Sequence, residues 1–436
     1  MSNTVSSASE PRRIVIRILQ RWERGGDFAR DLVDAHLRRA NLAPRDRSSV
    51  AAAVYGVIRA RGKLDWLIDS ASSRRKPSSG SAVRQILRLA LFHLFEESPP
   101  RAGYAVVHQA GELGKEFLTG RESAFVNAVL RLVSQDGFVP SWPPAGRSAE
   151  HLAVIYSHPA WLVKRWLRRW DPGGVEKICR AGNCPPPVFI RVNLLRSDPA
   201  ILGEELRKAG RDFIPVDGRD NIGELKPADA LFELESFRRG WFQVQDISTL
   251  AAVDLLDPRP GETVIDFCSA PGGKASYAAE KMLNQGVLIA AERNLEKLGF
   301  VRENFSRLGV NCAKYLVSDL TSAAVQEESA DAVLLDVPCS NTGVLRRRVD
   351  ARWRLRAADI RRLADQAGRM IAAAAPVLKK GGRLVYSTCS IEPEENRMAV
   401  DSFLKGRAGF RLAGEASTLP GEGRGDGYYA ALITRE

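Results

Sequence analysis

From about residue 240 onward the sequence alternates short apolar runs with amphipathic stretches, and few folds accept that rhythm. Residues Thr263–Phe267 read as a buried strand that runs into a glycine-rich loop and then a helix. Val287–Ala291, Ala313–Ser318, Ala332–Asp336 and Arg383–Ser387 read as further strands, with helical stretches between most of them. Alternating β and α predicts a doubly wound, Rossmann-like α/β domain over 237–436, with a parallel sheet and helices on both faces. Ligands of such sheets sit beyond the strand C-termini, which is where the chemistry-bearing residues of this half fall.

The first third follows a different period. Val15, Ile18, Leu19 and Trp22 recur at helical spacing, as do Val50, Val54, Val57 and Ile58, and Val83, Ile86, Leu87 and Ala90. Turn clusters at Gly25-Gly26, Lys76–Gly80 and Ser98–Pro100 punctuate them, so 11–138 is expected to be an all-α bundle behind a frayed tail at 1–10. A proline-rich joint, Val139–Pro144, leads into an α+β segment over 145–236. That segment holds a strand at Val188–Val192, a helix near 198–209, and a helix carrying Trp161, Lys164, Arg165, Trp166, Arg168 and Arg169. These aromatic and basic residues suit either RNA stacking or a helix docked by its Trp face, and the spacing does not choose.

Composition removes several classes. Apolar residues make up 44% of the 436, and no run of 18 apolar residues exists, so a membrane-spanning helix is not expected. The N-terminus lacks the apolar core of a secretory signal. Six cysteines are too sparse for a disulfide framework, and Cys179 and Cys184 have no partners at zinc spacing. Reduced thiols, a cytoplasmic setting and no metal are therefore expected. The net charge of +12 is uneven: +8 over 1–140, +3 over 141–240 and +1 over 241–436. A basic front on a near-neutral back suggests a polyanion partner upstream of some other activity.

Asp266–Lys274 leaves the first strand and opens a helix, so its glycines let a ligand approach the backbone and the free N–H groups beyond. The loop matches neither the dinucleotide nor the triphosphate fingerprint. Its residues Cys268, Ser269, Ala270, Pro271, Gly272, Gly273 and Lys274 are candidates for holding a cofactor. Glu292 lies 20 residues past Gly272 at the end of the second strand, where an acid binds ribose hydroxyls, and Asp319 closes the third. Together they point to a nucleoside cofactor.

Two cysteines occupy matching places: Asp336-Val-Pro-Cys339-Ser ends one strand and Ser387-Thr-Cys389-Ser ends the next. Packing explains a lone buried Cys better than such a pair. His36, His93, His108, His151 and His158 all precede residue 160, so the α/β half has no histidine to activate a thiol. A helix N-terminus, a nearby cation or the substrate must do so. A nucleoside cofactor, two thiols and no histidine fit one chemistry. A thiolate adds to C6 of cytosine, making C5 nucleophilic enough to take the methyl of S-adenosylmethionine, and loss of the C5 proton and of the thiol restores the ring. The base must first leave its stack.

These residues resemble the RNA 5-methylcytosine methyltransferase family, of the RsmB (Sun/Fmu) type that acts on small-subunit rRNA. The likeness rests on Asp266–Lys274, Asp336–Gly343, Val385–Asn396 and Gly425–Tyr429, and upstream on Val54–Arg59, Leu64–Trp66 and Phe125–Arg131, which resemble a NusB-like RNA-binding bundle. The resemblance implies that Cys389 is the nucleophile, that Cys339 assists product release, and that Asp336 contacts the target base or the methionine moiety. It implies S-adenosylmethionine held by residues 268–274, Glu292, Asp319 and Asp336. The expected partner is 16S rRNA, with no membrane, and the protein is expected to be monomeric. Val337, Asn341 and Glu292 stand where the family usually has Ala, Gly and Asp, changes that would reshape the base pocket and lengthen one carboxylate. An arginine run beyond the Pro-Cys-Ser loop, with Arg346, Arg347, Arg348, Arg352 and Trp353, is read as an RNA contact. The same chemistry on tRNA, and a non-enzymatic ribosome-assembly factor, are the alternatives. A DNA methyltransferase would leave the Thr-Cys motif unexplained, and an amine methyltransferase would show Pro-Pro-Tyr after the acid.

Overall fold

The computed structural model describes residues 10–72, 76–135, 138–321 and 326–436; apart from Glu10, the tail expected over 1–10 lies outside them. The chain forms two compact units, Met1–Asn183 with Arg348–Arg354, and Cys184–Arg347 with Leu355–Glu436.

In the first unit the periodic apolar residues become the inward faces of Glu10–Arg24, Pro44–Ala71 and Ala82–Phe95, and every one of the twelve residues cited above is buried. Ala29–Arg39, Gly103–Phe117 and Gly120–Val133 complete the bundle. Local chemistry fixes the starts: Ser81 caps one helix by accepting from the Arg84 N–H, and Thr119 and Glu122 form a reciprocal capping box on another. Part of the basic surplus is spent internally. The Arg88 guanidinium is buried and donates to Asp65 at 2.7 Å and Glu23 at 2.9 Å, so it adds nothing to a surface field.

The segment expected as one α+β piece over 145–236 is divided. Its helices Ala149–Ile155, Ala160–Trp166 and Pro172–Ala181 belong to the first unit, and its helix Pro199–Lys208 and its strands to the second. Trp166 settles the choice left open by the sequence: its ring is fully buried, edge-on to His158 at 5.8 Å, so this Trp is core rather than a stacking platform. Ser157 Oγ accepts from the Gly62 N–H at 2.8 Å, joining these helices to the bundle.

The second unit holds two sheets. The small one contains β1 (Phe189–Val192), β2 (Asp212–Val216), β3 (Arg219–Lys226) and β4 (Phe242–Val244), antiparallel in the order β2-β3-β1-β4. Only β1 is legible in the sequence, because β2 is short and interrupted by Pro215, and β3 is largely polar. The large sheet contains β5 (Thr263–Asp266), β6 (Val287–Glu292), β7 (Ala313–Val317), β8 (Ala330–Asp336), β9 (Leu378–Thr388), β10 (Phe410–Thr418) and β11 (Tyr428–Arg435). Its order is β10-β11-β9-β8-β5-β6-β7. All five expected strands are present and parallel to one another, while β11 runs antiparallel to β9 and carries β10 at the edge. The chain winds from β5 outward to β7, then returns to place β8 on the other side of β5. That reversal opens a crevice at the C-terminal ends of β5 and β8.

Candidate active site

Asp266 ends β5 and Asp336 ends β8, so adjacent parallel strands deliver the two carboxyls to one crevice. Gly272 follows at φ +99°, a conformation that favours glycine, and a Cβ there would lie 3.0 Å from the Phe305 ring. The helix Gly273–Lys281 starts at once and turns Lys274 back toward Asp336, with Nζ donating to Oδ2 at 2.6 Å. Ser387 Oγ donates to the other Asp336 oxygen at 2.8 Å, tying the end of β9 to that of β8. Burial opposes the Lys274 ammonium, but Asp336, Asp266 and the Cys389 sulfur outweigh it and raise its pKa, so Lys274 stays charged.

Asp266 behaves differently. Its carboxyl is buried, accepts one bond from the Cys268 N–H at 3.1 Å, and faces the charges of Asp336 and Glu292. Burial first, and these neighbours second, push its pKa up to about 7. The folded protein therefore holds this proton more tightly than the unfolded chain. The stability it contributes is present below about pH 4 and is lost as pH rises through about 7, an effect of at most about 4 kcal/mol. Asp266→Asn is expected to flatten that part of the stability–pH curve. A wild-type melting profile that does not fall relative to the variant between pH 5 and 8 would contradict the assignment.

A cleft at this point is lined by Gln245, Asp246, Asp266, Ser269, Lys274 and Asp336, among others. Ser269 N–H donates to Ala291 O and Ser318 N–H to Glu292 O, both at 3.1 Å, so the ends of β5, β6 and β7 are stitched together. The Ser269 and Ser318 hydroxyls are buried with no hydrogen-bond partner among the described residues. Buried orphan hydroxyls are costly unless a ligand completes them, so this strip fits a polar nucleoside. Glu292 and Asp319 lie beside it at the strand ends rather than in the cleft lining. Glu292 accepts from the Asn294 N–H at 3.2 Å, and Asp319 accepts from Thr321 Oγ1 at 2.7 Å.

The cysteines meet. Cys339 Sγ lies 3.2 Å from Cys389 Sγ, at the ends of the neighbouring strands β8 and β9. The Cys389 thiol also donates to Asn341 Oδ1 at 3.2 Å, and Asn341 Nδ2 donates to Cys339 O at 2.9 Å. Asn341 sits at φ +60°, a conformation that favours Gly and that Asn is among the few other residues to accept. The hydrogen bond with Cys389, then burial, push the Cys339 thiol well up, so it keeps its proton.

The arginine run is corrected by the structure. Arg352 is fully buried and donates to Ser157 O, Asn183 Oδ1 and Gly182 O at 3.1, 2.7 and 2.6 Å, which leaves it no reach toward a phosphate. Trp353 Nε1 donates to Ile58 O at 2.8 Å, and the Arg61 guanidinium lies over its ring, so its indole is used within the first unit. Arg346 and Arg347 pair with Asp426, and Arg347 also with Asp246 at 2.6 Å. Only Arg347 and Arg348 of these five remain exposed.

Sequence reasoning missed several organisers of the site. Gln245 and Asp246 follow the three-residue strand β4, too short to give a period. Arg191 reaches from β1 to Glu280 and to Ser276 Oγ at 3.1 Å, fastening the small sheet to the helix that carries Lys274. No local pattern marks either.

Comparison with known proteins gives the family. A family model described as 16S rRNA methyltransferase RsmB/F matches residues 253–433. A NusB family model matches 9–135, and an RsmF/B-like ferredoxin-like domain model matches 158–220. The ribosomal RNA small subunit methyltransferase B of Yersinia enterocolitica is 34% identical over 91% of this chain and 92% of its own. A probable ribosomal RNA small subunit methyltransferase B of Bacillus subtilis is 31% identical over 90% and 88%. The solved structure of a methyltransferase homolog from Pyrococcus horikoshii covers 67% of this chain and all of its own, with TM-score 0.60 and 27% identity. These matches make this chain a methyltransferase of the 16S rRNA methyltransferase RsmB/F family, joined to a NusB-like helical domain.

Proposed function

We propose that the protein methylates C5 of a cytosine in small-subunit rRNA, using S-adenosylmethionine and a covalent link from Cys389 to C6 of the base. The observation that carries this reading is the pair of thiols at 3.2 Å beside a charged lysine and two carboxyls, in a unit without histidine. Lys274 is the cation that a thiolate needs when no histidine is present. Asn341 orients the Cys389 sulfur through the hydrogen bond it accepts. Cys339, held as a thiol, donates to the Cys389 sulfur and stabilises the charge that gathers there as the carbon–sulfur bond breaks.

The strip bearing the Ser269 and Ser318 hydroxyls, with Glu292 and Asp319 beside it, would hold the nucleoside part of S-adenosylmethionine, and Asp336 the methionine end or the base. When bound, the cofactor supplies an electrophilic methyl group. Exposed Arg348 would meet phosphates. The test is to incubate the protein with small-subunit rRNA and methyl-labelled S-adenosylmethionine, then digest the RNA to nucleosides. Label is expected in 5-methylcytidine; label in N4-methylcytidine or in a purine would overturn the C5 assignment.

A further inference from the structure

The loops that carry the two cysteines are not merely neighbours: both are fastened to one buried acid that the chemistry itself does not use. Glu395, in the short turn Pro393–Glu395, is 1% exposed. Its Oε1 accepts from the Ser340 N–H at 2.8 Å and its Oε2 from Ser340 Oγ at 2.5 Å. The same Oε2 accepts from Ser390 Oγ. Ser340 directly follows Cys339 and Ser390 directly follows Cys389. The acid's own backbone is held too, since Tyr386 OH donates to Glu395 O. Asn396 closes the other side, accepting from Thr388 Oγ1 at 2.6 Å and donating to Ser390 O at 2.9 Å. The residues flanking Cys389 on both sides are thus anchored to the same turn.

We propose that Glu395 is the positioning residue of this site, one carboxylate that holds the Cys339 and Cys389 loops in a single register. The proposal rests on the reading that Cys389 attacks the base and Cys339 assists release. Folding alone gives little reason for an acid here. Burial raises its pKa, its partners among the described residues are two hydroxyls and an amide rather than a cation, and an uncharged side chain would be cheaper to bury. A neutral side chain could not accept three hydrogen bonds from two loops at once. The linkage also explains why each cysteine is followed by a serine: the hydroxyl is the handle by which its loop is held.

The full-length protein tests this with small-subunit rRNA and S-adenosylmethionine under single-turnover conditions. Glu395→Ala is expected to slow methyl transfer about a hundredfold, the cost of displacing a reacting atom by around 1 Å. Cofactor affinity, measured by equilibrium dialysis, is expected to stay at the wild-type value. Glu395→Gln is expected to recover most of the rate, because an amide still bridges two hydroxyls. Ser390→Ala removes one hydroxyl without emptying a core site, so it keeps the test open should Glu395→Ala fold poorly. Its rate loss is expected to vanish when combined with Glu395→Ala, as it must for two parts of one linkage. Wild-type rates in Ser390→Ala and Glu395→Ala, or losses that simply add in the double variant, would overturn the proposal. If Cys389→Ala still transfers methyl groups, the underlying chemistry fails; if it is dead while the Glu395 variants keep full rate, only the positioning role fails.

Discussion

Cys389→Ala is expected to abolish methyl transfer, by about 10⁴-fold or more, because on the proposed mechanism it removes the thiol that would add to C6 and raise the nucleophilicity of C5. Cys339→Ala is expected to do something different. With S-adenosylmethionine and small-subunit rRNA it should accumulate a protein–RNA adduct that survives denaturing electrophoresis. Cys339 keeps its proton and lies 3.2 Å from Cys389, so on the proposed mechanism it would stabilise the departing sulfur by a charge-assisted hydrogen bond. Such a bond is worth about 1.5–3 kcal/mol, so release should slow roughly ten- to hundredfold while addition continues. The adduct must be absent from Cys389→Ala. The opposite pattern, with an adduct only in Cys389→Ala, would transfer the nucleophile to Cys339.

Arg352→Ala is expected to cost the N-terminal unit about 3 kcal/mol or more, since it strands two buried carbonyls and a half-buried amide oxygen at once. Those acceptors, Ser157 O, Gly182 O and Asn183 Oδ1, bring the segment Arg348–Arg354 into the first unit, where Val349 and Trp353 join the hydrophobic core. Burial pushes the Arg352 guanidinium down to about 9, which still leaves it charged at neutral pH. Hydrogen exchange of the helices Ala149–Ile155 and Pro172–Ala181 reads the loss locally. The salt dependence of RNA affinity should be unchanged. A variant of wild-type stability whose salt slope falls by about one would return Arg352 to the phosphates.

The two predictions draw on opposite ends of what the sequence reveals. Cys339 and Cys389 were readable because each follows an apolar run of strand length, and parallel strands place such ends side by side. Arg352 was misread for an equally physical reason. A row of arginines with a tryptophan presents the same composition whether it faces RNA or anchors a loop to a bundle. Burial, which no local pattern encodes, decides between them.

The sequence by itself determined the bundle, the parallel strands, the glycine turn at Gly272 and the two thiols, because each depends on spacing along the chain. Tertiary structure alone decided that Glu395 bridges Ser340 and Ser390, that Arg191 reaches Glu280, and that Asn341 touches the Cys389 sulfur. Those contacts join residues up to 89 positions apart. The contacts at the two cysteines exist only once β9 lies beside β8, and that of Arg191 only once the small sheet meets the helix Gly273–Lys281; a period read within one segment cannot carry such pairings.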